Sequence, residues 1–143
     1  MNTDKKLLVD ADIILDLLTR RGNFYEPAAR IFDLGYTGKL SLCTTAVVLA
    51  NVFYLLRKKH GAEKSLDCLK ILRLIMGVLP ISEKAVDDAL ASNFTDFEDG
   101  LQYFSAKENE VKIILTRNAK DYKGKDLTVQ TAEEYLETCG LNS

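Results

Sequence analysis

Hydrophobic and polar positions along the chain alternate between two kinds of segment. Short, nearly continuous apolar runs lie at residues 6–9, 40–43, 78–81, 111–116 and 127–129. Runs of this length with apolar residues at successive positions predict strands buried on both faces. Between them, apolar residues recur at helical spacing. Ile13, Ile14, Leu17 and Leu18 predict a helix over 12–19, and Ala28, Ile31, Phe32 and Leu34 predict one over 26–37, with Pro27 in its tolerant first turn. Thr44 or Thr45 is placed to cap a long helix that runs to Lys59. Gly61 separates it from a further helix over 62–76, where Leu66, Leu69, Leu72 and Ile75 are in register. Helices are also predicted over 82–92, 94–108 and 131–138. Strands that alternate with helices predict an α/β fold: a three-layer α/β/α sandwich around a central parallel sheet of four to five short strands, in one domain spanning 1–143.

Composition narrows the class. The chain has 143 residues, 47% of them hydrophobic and 28% charged, enough to bury one real core without disulfides. That excludes a small disulfide scaffold and a disordered tail. The longest apolar stretch, 46–50, is far short of the ~20 residues of a membrane span. The polar start, 1–6, leads into a short apolar run with no cleavage pattern, so a cytosolic protein is expected. Cys43, Cys68 and Cys139 are widely spaced and read as core or near-core filler. His60 is the only histidine and sits at a basic helix end before Gly61, which argues against zinc and against Ser-His or Cys-His catalysis. A net charge of −2 gives no overall electrostatic case for a nucleic-acid substrate, so any such case must be local.

In an open parallel sheet, ligands bind beyond the carboxyl ends of the strands. The first strand ends in Asp10-Ala11-Asp12, with Asp16 one turn on; the strand over 111–116 ends in Thr116-Arg117-Asn118, with Asp121 nearby; the second ends in Thr44-Thr45. Parallel strands bring all three to one edge. The segment Thr95-Asp96-Phe97-Glu98-Asp99 adds three acids in four residues. Thr95 and Glu98 match a capping box, which leaves Asp99 beyond the cap and free for chemistry. Asp10 or Asp12 is expected to cap the first helix, leaving the other free, and Asp10, nearer the sheet, is the better ligand candidate. Asp16 has a solvent-facing alternative. Several carboxylates at one point repel each other and take up protons unless a cation is present. Hard divalent ions such as Mg²⁺ or Mn²⁺ suit such oxygen donors, activating water and stabilising charge on a leaving oxygen. Neutralising Asp10, Asp96 and Asp99 would move the formal charge from −2 to +1.

The segments Leu8-Val9-Asp10-Ala11-Asp12-Ile13-Ile14-Leu15-Asp16, Phe94-Thr95-Asp96-Phe97-Glu98-Asp99-Gly100-Leu101-Gln102 and Ile114-Leu115-Thr116-Arg117-Asn118, in this order, resemble the PIN-domain family. The family comprises Mg²⁺- or Mn²⁺-dependent ribonucleases, many of them VapC-like toxins of toxin–antitoxin pairs. The resemblance implies metal-binding roles for Asp10 and Asp99, with Asp96 a close neighbour and Asn118 assisting. It also implies an RNA substrate, a homodimer and a small antitoxin partner. Two positions depart from the family pattern, Asn51 and Asn118, where many members carry acids; an amide offers a neutral oxygen but no charge. Asp12 and Asp121 are candidate substitutes. Substrate contacts are expected from Thr116 and Arg117, followed by Lys120 and Lys123, and from Thr44, Thr45 and Asn51. Arg20-Arg21 and Arg57-Lys58-Lys59 end helices and read as solvated surface.

Two other functions fit parts of the chain. Asn51 and Asn118 suit a PIN-fold module that binds RNA or protein and cuts weakly or not at all. Asp10-x-Asp12 suits a phosphoaspartyl nucleophile pair, as in haloacid-dehalogenase-type phosphatases, which needs a catalytic lysine.

Overall fold

The structure, a computed structural model, describes residues 5–122 and 126–140. Five strands form one sheet: β1 (Lys6–Val9), β2 (Ser41–Thr45), β3 (Met76–Leu79), β4 (Ile113–Leu115) and β5 (Thr128–Gln130). Their order is β3-β2-β1-β4-β5 and every pairing is parallel. The central strand shows why such runs are nearly all apolar. Leu7 and Val9 face one core while Leu8 faces the other, and all three are fully buried. The first core lies under α1 (Ala11–Leu18), α2 (Tyr25–Tyr36), α3 (Ala46–Ile75) and α6 (Ala132–Thr138). The second is closed by α5 (Phe97–Glu108), which packs against α4 (Glu83–Ala91). The expected three-layer sandwich is the architecture observed.

Local boundaries differ for identifiable reasons. The two helices expected on either side of Gly61 are both present and are written together as α3, with the expected break at Gly61, whose backbone is non-helical (φ 81°) and favours glycine. β3 starts two residues earlier than hydrophobicity suggests, because Met76 and Gly77 pair with Leu42 and Cys43 and the strand ends before Pro80. α5 begins at Phe97 rather than at residue 94. Its cap is Asp96, which accepts from the Asp99 amide at 3.1 Å, so the expected Thr95–Glu98 capping box does not form. α5 approaches α4 closely at Gly100, where an added Cβ would come within 3.2 Å of the Ala89 Cβ. Of the cysteines, Cys43 is buried, Cys68 half-buried and Cys139 exposed, so the last is not core filler.

Chain order sets the site. From β1 the chain runs outward to β2 and β3, then crosses back to add β4 on the other flank of β1. The switch therefore lies between β1 and β4, where strand ends diverge and leave a crevice. Asp10 begins there, its amide donating to the Leu115 carbonyl at 3.0 Å.

Candidate active site

An open cleft of about 510 Å³ lies at the carboxyl edge of the sheet. Its floor is Asp10 and Asp12, one wall is the start of α5 with Asp96, Glu98 and Asp99, and Asn51 on α3 stands opposite. Asn118 and Asp121 close the end beyond β4. Among the described residues, no lysine lines it.

Asp10 is both a cap and a cleft residue. Its Oδ1 accepts from the Ala11 amide at 2.7 Å and from Gln102 Nε2 at 3.2 Å; its Oδ2 accepts from Thr116 Oγ1 at 2.9 Å. Capping thus falls to Asp10 and leaves Asp12 free of that role, the reverse of the assignment expected, although Asp10 caps while still facing the cleft. Asp12, in the first turn, accepts at Oδ2 from the Arg117 amide at 2.9 Å and approaches Thr116 Oγ1 at 3.2 Å. A hydroxyl has one proton to give, so Asp10 and Asp12 compete for it. Asp12 Oδ1 is buried with no hydrogen-bond partner in the structure. Burial, then the Asp10 charge, raises the Asp12 carboxyl to about 6.

Asp99 is buried on α5, and its Oδ1 accepts from the Tyr122 hydroxyl at 3.3 Å. Burial and the charges of Asp96, Asp10 and Asp121, in that order, push its carboxyl up to about 7. Glu98 accepts from Asn51 Nδ2, and its carboxyl is also raised, first by burial and then by Asp10. Carboxyls from separate parts of the chain thus feel one another across the cleft. That mutual repulsion, with an orphan buried oxygen and hard oxygen donors throughout, fits a divalent cation. Among the described residues, no three acids stand close enough to form a ready-made cage.

The repulsion has a measurable consequence. An acid whose folded pKa lies above its unfolded value holds a proton that the unfolded chain gives up, so stability falls as pH rises between the two values. For Asp99 that window runs from the ordinary 3.8 to about 7. The metal-free protein should melt at a lower temperature at about pH 7.5 than at about pH 5.5, with a smaller drop in Asp99→Asn. Added Mn²⁺ should raise the melting temperature more at the higher pH.

Several expected substrate residues occupy other roles. Thr44 is fully buried, and its hydroxyl donates to the Val9 carbonyl at 3.0 Å; Thr45 is fully buried and caps α3 through the Val48 amide. Neither presents a group to the cleft. Thr116, also fully buried, holds the acids rather than a substrate. Arg117 turns away: its guanidinium pairs with Asp16 at 2.9 and 3.0 Å and lies 4.1 Å from the Phe24 ring centroid. Asp16 is 1% exposed, so its solvent-facing alternative is excluded. Asn51 and Asn118 do line the cleft. Lys120 is exposed and absent from the lining, and Lys123 lies outside the described residues. Arg21, read from sequence as plain surface, lines the cleft. Sequence reasoning also missed Gln102, whose only signal is an amide on the buried side of α5, and Tyr122, placed by an unexpected 3₁₀ turn at Ala119–Tyr122.

A family model described as PIN domain matches residues 6–120. The chain belongs to the PIN-domain family. Ribonuclease VapC1 of Aquifex aeolicus (strain VF5) is 30% identical to it over 142 residues, covering 96% of each chain. Two solved structures share the PIN-like fold at low identity. VapC20 of Mycobacterium tuberculosis, described as a sarcin–ricin loop cleaving toxin, has a TM-score of 0.65 at 15% identity, covering 80% of this chain and 92% of that one. VapBC2 of Rickettsia felis, solved with a DNA fragment from its promoter, has a TM-score of 0.65 at 16% identity, covering 88% of this chain and 98% of that one. PIN-domain nucleases of the VapC kind are generally divalent-metal dependent. Family membership also favours the acidic cleft over a phosphoaspartyl site, which would need a lysine at the cleft.

Proposed function

We propose that this chain is a metal-dependent endoribonuclease and the toxin of a toxin–antitoxin pair, built as a single PIN domain over 1–143 and working in the cytoplasm. The observation that carries the reading is that Asp10, after β1, and Asp99, on α5, line one cleft, where the Asp10 charge is among the causes that raise the Asp99 carboxyl. Similarity to a ribonuclease over 96% of the chain supports it. Asp10 and Asp99 would hold Mg²⁺ or Mn²⁺, with Asp96 and Asn118 assisting from the rim. When bound, such an ion supplies positive charge to a phosphodiester and makes water acidic enough to displace the 3′ oxygen in line. The chain's own residues prepare that site. Gln102 and Thr116 fix the Asp10 carboxylate in place, and Tyr122 fixes Asp99. RNA would lie over the edge beyond β4, an antitoxin would cover the same cleft, and two copies would associate as a homodimer.

Asn51 and Asn118, amides where acids would add charge, favour a second function: an RNA- or protein-binding module without cleavage. Incubating structured RNA with the protein in Mn²⁺ or EDTA separates the two. The nuclease yields fragments with 3′-hydroxyl and 5′-phosphate ends, only with the ion. Uncut RNA in both, or 2′,3′-cyclic phosphate ends independent of metal, would set the nuclease aside.

A further inference from the structure

We propose that Tyr54 is a base-stacking residue at the rim of the acidic cleft, positioning an unpaired base of the RNA taken there; this rests on the ribonuclease reading above. Asn51, Tyr54 and Leu55 stand at i, i+3 and i+4 on α3 and all line the cleft, while Val52 and Leu56 serve the core. Tyr54 is 54% exposed and Leu55 50%, so this apolar rim is spare to the fold.

The tyrosine ring is held in advance. Phe53 meets it edge-on at 5.3 Å, and the Arg57 guanidinium lies 5.4 Å from its centroid and 5.9 Å from that of Phe53. A fixed ring loses little side-chain freedom when a ligand stacks on it.

Charge points the same way. Among the described residues, six carboxylates line the cleft against one guanidinium, that of Arg21. Of the other nearby cations, Arg117 is committed to Asp16, and Arg57 packs on the Tyr54 and Phe53 rings. Two divalent ions would bring such a lining only close to neutral, so phosphate attraction is a weak source of affinity. Stacking is an alternative source that does not depend on net charge. A base offers an open face only where it is unpaired, since duplex RNA keeps its bases stacked on each other.

The test uses fluorescein-labelled 12-nucleotide oligoadenylate and an RNA hairpin duplex with a minimal loop, with Ca²⁺ as the ion, read by anisotropy. The wild-type protein should bind the single strand more tightly than the duplex. Tyr54→Ala and Tyr54→Leu should weaken single-strand binding by about tenfold, and Tyr54→Trp should retain it. Raising salt from about 50 to about 200 mM should cost less than about tenfold, because few phosphates are neutralised. Equal affinity of wild type and Tyr54→Ala overturns the inference, as does preference for the duplex. If Tyr54→Ala binds and cuts like wild type, the stacking role falls and the nuclease stands; if the wild type neither binds nor cuts RNA, both fall.

Discussion

Asp10→Asn should reduce RNA cleavage by about two to three orders of magnitude, the scale on which one group that stabilises transition-state charge acts. The fold should survive. Asparagine is as good a helix cap as aspartate, so the bond from the Ala11 amide can persist. Its oxygen can still accept from Gln102, and its amide can donate to the Thr116 hydroxyl, which is able to accept. What is lost is the charge. Removing one of several repelling carboxylates should leave the metal-free protein equally or more stable while Mn²⁺ affinity falls. Calorimetric titration with Mn²⁺ beside a melting curve checks both halves. A variant that cuts like the wild type would remove Asp10 from the chemistry, and one that unfolds would make its role structural.

Arg117→Met should cost about 3–5 kcal/mol of stability, the usual consequence of stranding a buried charge. Asp16 has almost no access to water, and Arg117 is its bidentate partner. Arg21, at 4.0 Å and half exposed, is a weak replacement. The double variant Asp16→Leu, Arg117→Met should recover much of the loss, because it removes both charges rather than one. Urea midpoints for the wild type, both single variants and the double variant close this cycle. A loss below about 1 kcal/mol in Arg117→Met would mean that the pair behaves as a surface bridge. The clamp also bears on the site, since the Arg117 amide is held against Asp12 and the neighbouring Thr116 against Asp10.

The parallel sheet and its helices were legible because burial on both faces leaves a plain mark: Leu7, Leu8 and Val9 have no polar neighbour until Asp10. That Asp10 and Asp99 share one cleft was legible only in part: Asp10 follows β1, whose direction the alternation dictates, whereas Asp99 lies in the first turn of α5, which the alternation does not place. Hydrogen-bond partners were not legible. Thr44 and Arg117 carry groups suited to phosphate, but the fold uses the first against Val9 and the second against Asp16. A polar residue near an edge can face the substrate or the scaffold, and spacing along the chain does not distinguish these. The α5 cap shows the same limit at short range: Thr95 and Asp96 both suit the position, and Asp96 takes it. Tyr54 left no trace at all, because an aromatic residue in an apolar helix looks like core until the other side of the helix is seen to be buried.

The most direct test is anomalous diffraction from crystals soaked in Mn²⁺. A peak coordinated at about 2.1 Å by carboxylate oxygens of both Asp10 and Asp99 is the result expected. Manganese absent from the cleft at saturating concentration, or bound there without either aspartate, would contradict the account.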